Sequence, residues 1–194
     1  MNHLFRLFSL ASIFLAILFS CKQVTEPGLT VKYYSSNTDF PVVDAGKPVP
    51  LLTDSLDAEV VGIAARAVAQ DIGLISGTIP KVIYEPLSAG KNIIVAGTIG
   101  HSKFIDELIA SNRIDVTSIQ GKWEAHQLEV IMSPFQGIDK ALVIVGSDRR
   151  GTAYGLFELS RLLGVSPWVW WADVLPERHK NLYLTAGKMV IPAG

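Results

Sequence analysis

The chain has 194 residues, 49% of them apolar and only 18% charged, a balance that excludes a disordered chain, which needs little apolar content and much charge. Seventeen Lys and Arg against 18 Asp and Glu leave a net charge of −1, which gives no electrostatic ground for nucleic acid as a partner. The length suits one domain of about 100–200 residues and is too short, after an export segment, for a complete eight-stranded (β/α) barrel of about 200 residues or more.

Residues 1–8 carry His3 and Arg6 and no acid, and residues 7–19 are apolar apart from Ser9 and Ser12. A spanning helix needs about 20 apolar residues, so this shorter run after a basic start predicts a signal peptide over residues 1–20. The single cysteine, Cys21, follows directly in Leu18-Phe19-Ser20-Cys21. This segment resembles the lipobox of bacterial lipoproteins, with Leu at −3 and a small residue at −1, although Phe19 departs from the usual residue at its position. The resemblance implies lipidation of Cys21 and attachment to the bacterial cell envelope, at the outer membrane facing the periplasm. The other reading is a secreted protein with an incidental Cys21. A lone cysteine leaves no disulfide within the chain. Residues 21–39 read as a tether and lead-in, and residues 40–194 as the domain.

From Phe40 the pattern becomes one of alternating elements. Residues 40–44 and 49–53 predict short strands, split by Gly46 and Pro48. Asp54 or Ser55 is the expected cap of a helix in which Leu56, Val60, Ile63, Ala64, Ala67 and Val68 recur at helical spacing. Gly73, Gly77 and Pro80 close it. Residues 81–84 and 92–96 predict strands, the second an apolar run of the buried kind. A helix over 102–111 presents Phe104, Ile105, Leu108 and Ile109 on one face. Residues 124–132 alternate, as an antiparallel or edge strand does. Residues 141–145 read as a buried strand, 152–163 as a helix ended by Gly164, and 181–190 as a late strand pair or one strand broken at Gly187. The sum is an α/β (α+β) fold, a mixed β-sheet with helices packed on it.

Two junctions carry site-like features. Val95-Ala96-Gly97-Thr98-Ile99-Gly100 and Val145-Gly146-Ser147-Asp148-Arg149-Arg150-Gly151-Thr152 both run from strand through glycine to helix, where free N–H groups attract anions. The second mimics half of a phosphate-binding loop, but Thr152 and Ala153 stand where Lys and Ser/Thr carry that chemistry. The competing reading is tight turns, with Asp148 capping the helix. His101, His126 and His179 show no metal-ligand spacing, so neither a metal nor a cofactor is expected. The carboxylates are scattered, and spacing selects no catalytic pair. Trp168, Trp170 and Trp171 crowd one segment just past a helix end. Indoles serve as platforms for sugar rings and also fill cores and interfaces.

The run Gly146-Ser147-Asp148-Arg149-Arg150-Gly151-Thr152-Ala153-Tyr154-Gly155, with Glu158-Leu159-Ser160 and Gly164-Val165-Ser166-Pro167-Trp168-Val169-Trp170-Trp171-Ala172-Asp173-Val174, resembles the end of the N-terminal domain of glycoside hydrolase family 115. Members of that family are xylan α-1,2-glucuronidases that remove (4-O-methyl)glucuronic acid. Residues 40–145 resemble more loosely the β-N-acetylhexosaminidase-type N-terminal α/β domain. In the family a catalytic barrel follows this domain, and Ile191-Pro192-Ala193-Gly194 falls where its first strand is expected. The resemblance therefore implies a non-catalytic domain, truncated or split from its barrel, with (4-O-methyl)glucuronoxylan or derived oligosaccharides as the partner of the whole. It implies no catalytic residue here. Trp170 or Trp171 is expected near the sugar pocket, with Arg149 and Arg150 facing the same junction. At least one of the three clustered tryptophans is expected to be exposed, and the tail after about Val190 to leave the domain. The alternative is a freestanding carbohydrate- or partner-binding lipoprotein without catalysis.

Overall fold

The computed structural model describes residues 28–86, 90–169 and 171–192. Cys21, Trp170 and the stretch read as a signal peptide lie outside the described residues. The order of elements is β1 (Val31–Lys32), β2 (Phe40–Asp44), β3 (Lys47–Pro48), β4 (Leu51–Thr53), α1 (Glu59–Ser76), β5 (Val82–Ile83), β6 (Asn92–Thr98), α2 (Lys103–Ala110), β7 (His126–Met132), β8 (Lys140–Gly146), α3 (Arg149–Leu162), β9 (Leu182–Leu184) and β10 (Lys188–Ile191).

A six-stranded sheet runs β10-β7-β8-β6-β4-β5. Strands β5, β4, β6 and β8 are mutually parallel, while β7 is antiparallel to both β8 and β10. Both faces of β6 and β8 are covered, which is why these strands are apolar without alternation. Successive side chains still point to opposite faces. Ile93, Val95, Val143 and Val145 join Phe104, Ile105 and Leu108 of α2 in one core. Ile94, Ala96, Leu142 and Ile144 join α1 and α3 in the other. A smaller sheet, β1-β9-β2-β3, adds Phe40, Val42, Leu182 and Leu184 to that second core. The mixed α/β architecture expected from the sequence is thus the one observed.

Several local expectations shift. Asp54 does not cap α1: the N-cap position is Ala58, without a side-chain bond, and the Asp54 carboxylate accepts instead from the N–H groups of Leu56 and Lys103. Gly77 does close α1, at φ 79°, donating its N–H to the Gly73 carbonyl; this left-handed turn is where a side chain would be strained. Strand β1 falls within the stretch read as lead-in and pairs with β9. The late strands do not form a hairpin, since β9 enters the small sheet and β10 covers the edge of β7. The tail does not leave the domain at Val190: Ile191 pairs with His126. A strand there protects the otherwise open edge of β7.

Candidate functional site

Helix α3 packs directly against β8 and the residues just before β7, and its glycines explain why. A Cβ on Gly146 would sit 2.1 Å from the Thr152 nitrogen, and one on Gly151 would sit 2.4 Å from the Ala125 carbonyl oxygen. A Cβ on Gly155 would meet the Ile144 side chain at 2.8 Å. The spacing that imitates half of a phosphate loop is therefore a packing device. The N–H groups at the start of α3 are also taken: one Asp148 carboxylate oxygen accepts from Arg150 N and Gly151 N, at 2.9 and 2.8 Å. Its other oxygen accepts from Glu124 N at 2.9 Å. Partial burial pushes Asp148 upward, but these three donors and the Arg150 guanidinium bring it below the ordinary carboxylate range. The first junction is filled likewise, with Gly100 N donating to Asp106 and Thr98 N to Asp57. At both junctions backbone donors are taken by the chain's own carboxylates, and at the second Asp148 is the helix cap.

The concave site lies on the outer side of α3. Tyr154, Phe157, Glu158 and Arg161 recur at helical spacing and form one wall of a groove of about 720 Å³. The floor holds Asp71 from α1, Ser160 from α3 and His126 from β7. Trp171 flanks the groove, and Ile191 and Pro192 of the tail also line it. Trp171 is 84% exposed, and Tyr154 and Phe157 are partly exposed, so the groove shows an aromatic surface to solvent.

Its polar groups are unequal. Burial pushes the Asp71 carboxyl up, against the lowering effect of the Ser160 hydroxyl that donates to it at 2.7 Å. Arg161 grips Glu158 through Nε at 2.8 Å and through Nη2, and this bond holds Glu158 below the usual range against its partial burial. His126 is only 6% exposed. Burial lowers its pKa, opposed by the Glu124 carbonyl and the Glu158 carboxylate. Its Nδ1 lies 3.5 Å from the Glu124 carbonyl oxygen, and its buried Nε2 makes no hydrogen bond with the described residues. At the mouth, one Glu124 carboxylate oxygen accepts from the exposed Trp123 indole at 3.0 Å and pairs with Arg150 at 2.9 Å. Arg150 also donates to the Tyr154 hydroxyl at 3.3 Å. Among the described residues no cluster of three or more His, Cys, Asp or Glu side chains is placed to hold a metal ion.

Of the residues singled out from the sequence, Trp171 lines the groove and Arg150 borders it through Glu124 and Tyr154. Arg149 is exposed at the start of α3 and does not line the groove. Trp168 is 63% exposed on the short 3-10 turn Pro167–Val169, so the expectation of an exposed tryptophan in this cluster is met twice. Sequence reasoning assigned no groove role to Asp71 or Glu124, weighed His126 only as a metal ligand, and offered Glu158 only as part of the motif that resembles family 115. The signal available was the α3 stripe, which places two aromatics beside Glu158 and Arg161 on an outward face. Asp71 and His126 arrive from distant segments and gave none.

The chain is similar to a solved structure described as a novel family GH115 4-O-methyl-α-glucuronidase, BtGH115A, with specificity for decorated arabinogalactans. The two share 35% identity at a TM-score of 0.63, over 78% of this chain and 18% of that one. A second solved structure, of CpGH84D, overlays at a TM-score of 0.43 with 12% identity, over 81% of this chain and 22% of that one. No family model matches the chain, and no curated protein matches it. The fold is related to that of part of a family 115 glycoside hydrolase, and the chain spans 18% of that neighbour's length.

Proposed function

We propose that the chain is the N-terminal, non-catalytic domain of a family 115-type glycoside hydrolase acting on glucuronic acid-decorated polysaccharide, of the xylan or arabinogalactan kind. In this reading the domain has the hexosaminidase-type N-terminal fold, braces the catalytic barrel, and presents Trp170 or Trp171 toward the sugar pocket. The observation that carries the reading is the 35% identity to a 4-O-methyl-α-glucuronidase over 78% of the chain. The exposed indoles of Trp168 and Trp171 supply the kind of aromatic surface that stacks on sugars or anchors a neighbouring domain.

A non-catalytic role is consistent with the carboxylates in the groove. A glycosidase of the usual type needs two carboxyl groups about 5–10 Å apart around a sugar ring. Here Glu158 is engaged by Arg161, Glu124 by Arg150 and Asp71 by Ser160. The test is complementation. A family 115 enzyme deprived of its corresponding segment should regain release of 4-O-methylglucuronic acid when this chain is supplied, and the chain alone should release none. Release by the purified chain, or no recovery with a well-folded chain present, would refute the reading.

We also propose that Cys21 carries the lipid anchor and holds the protein at the outer membrane facing the periplasm. One acyl chain gives marginal attachment and two or more give stable attachment. Cys21→Ala in a bacterial host should release the protein from the membrane fraction or block its maturation; unchanged fractionation would contradict the anchor.

A second reading, a freestanding carbohydrate-binding lipoprotein, is favoured by one observation: the groove is formed within this one chain, from α1, β7, α3 and the tail.

A further inference from the structure

We infer that the groove beside α3 is a subsite for an uncharged sugar residue, which stacks on Trp171, and that it turns away the glucuronate itself. The inference rests on the reading that a decorated glycan is the ligand, and it deepens that reading by naming which part of the glycan this domain takes.

Size and surface come first. A groove of about 720 Å³ falls within the range of about 300–1,000 Å³ common for small-ligand sites. Its rim carries Trp171, exposed almost throughout, with Tyr154 and Phe157 partly exposed beside it. The apolar face of a sugar ring has matching chemistry. A sugar hydroxyl also suits the polar floor. Buried His126 Nε2 makes no hydrogen bond with the described residues. Since Nδ1 faces the Glu124 carbonyl, the neutral ring keeps Nε2 as an acceptor, which a hydroxyl can satisfy by donating. The Glu158 and Glu124 carboxylates keep further lone pairs for hydroxyl donors.

Charge then selects the sugar. Three carboxylates line the groove, those of Asp71, Glu124 and Glu158, against one guanidinium, Arg161. That guanidinium is already bound to Glu158 through two nitrogens. Arg150, outside the lining, is bound to Glu124 and Tyr154. A uronate carboxylate would therefore meet the Glu124 and Glu158 carboxylates, each already paired with an arginine, with no uncommitted guanidinium among the described lining residues to receive it. Arg150, one of the two arginines that the sequence places at this junction, instead holds the Glu124 carboxylate.

The experiment is a titration of the full chain, followed by NMR, with galactobiose as the neutral probe and methyl glucuronide as the charged one. Galactobiose should shift the Trp171 indole signal and saturate. Methyl glucuronide should bind more than about tenfold more weakly, since like charges juxtaposed at a site cost several times the thermal energy. Trp171→Ala should lose at least about tenfold in galactobiose affinity while its circular dichroism stays that of the parent. Glu158→Gln should narrow the preference, because it removes a carboxylate and frees Arg161. Equal or tighter binding of methyl glucuronide would overturn the inference. So would failure of both probes to bind, the result expected if the groove is instead a seat for another polypeptide segment. Either failure is separable from failure of the functional reading, which the complementation assay tests without reference to this groove's ligand.

Discussion

Asp148 is the residue whose removal tests the architecture around the groove most directly. Its carboxylate accepts three backbone N–H bonds, two from the first turn of α3 and one from Glu124. Glu124 has φ 57°, a left-handed conformation that a non-glycine residue holds only when its surroundings fix it. Asp148→Ala removes both acceptor oxygens and leaves three N–H donors without that partner at once. Loss of a helix cap costs about 0.5–2 kcal/mol, and a partly buried N–H left without a partner costs about 1–3 kcal/mol. The expected destabilisation is therefore about 2–4 kcal/mol at pH 7, a large share of the ~5–15 kcal/mol that a domain has in total. Asp148→Asn keeps one acceptor oxygen and should fall between the parent and Asp148→Ala. The pH dependence gives the sign. A carboxyl held below its unfolded value of about 3.9 contributes stability above that pH and loses it as pH falls through the folded value. Urea unfolding followed by tryptophan fluorescence should thus show a gap between parent and Asp148→Ala that shrinks from pH 7 to pH 3. A gap under about 0.5 kcal/mol at pH 7, the size typical of an unimportant surface change, or a gap unaltered in acid, would refute this account of the cap.

Asp71 should behave in the opposite sense. Burial raises its carboxyl, so the native state favours the protonated form, and its contribution is full below the unfolded pKa and lost as pH rises through the raised folded value. Asp71→Asn keeps an acceptor for Ser160 and should remove that part of the decline with pH; an unchanged pH profile in urea melts would show Asp71 to be unperturbed. Gly151→Ala gains about 1 kcal/mol of helix propensity but drives a Cβ to 2.4 Å from the Ala125 carbonyl oxygen, and overpacking of this kind costs about 1–3 kcal/mol or more. A lower thermal midpoint is expected, and an equal or higher one would mean that α3 can draw back from β7 at no cost. Trp171→Ala should leave stability within about 0.5 kcal/mol of the parent, since the side chain is exposed; a larger loss in a denaturant melt would make Trp171 a packing residue.

Elements built on local signals were legible. The apolar runs of β6 and β8 and the stripe Phe104, Ile105 and Leu108 of α2 are set by periodicities of two and 3.6, which short windows display. Gly77 and Gly164, both at positive φ, marked helix ends because their backbone conformation is costly for other residues. What stayed hidden depends on distant pairing. Val31 pairs with Leu184 and Met189 with Leu128, so nothing near Val31 or Met189 could reveal their partners. The same holds for the groove. Tyr154, Phe157, Glu158 and Arg161 share one helix face and could have been read as a unit, whereas Asp71 meets Ser160 across 89 residues of chain. The glycine junction before α3 looked like an anion site because a helix start presents free N–H groups. Its environment is decided by Asp148, which takes the Arg150 and Gly151 N–H groups, and by Glu124, which pairs with the Arg150 guanidinium.

That occupation explains where the candidate site lies. In open α/β sheets with parallel strands, ligands usually bind beyond the carboxyl ends of the strands, on the N–H groups that open the following helices. Here the protein's own carboxylates take up backbone donors around those ends: Asp57 receives Thr98 N, Asp54 receives Lys103 N, Asp106 receives Gly100 N and Asp148 receives the first turn of α3. An anionic ligand arriving there would have to displace a fixed negative charge that costs nothing further to hold. The close approach of α3, permitted by Gly146, Gly151 and Gly155, also presses the helix onto the sheet and leaves little space beneath it. The outward stripe of α3 then becomes the face on which an aromatic surface meets a buried imidazole nitrogen without a partner among the described residues. The proposed ligand of this groove is accordingly one recognised by stacking and by hydroxyl hydrogen bonds and not by phosphate or carboxylate capture, which is the chemistry of a neutral glycan.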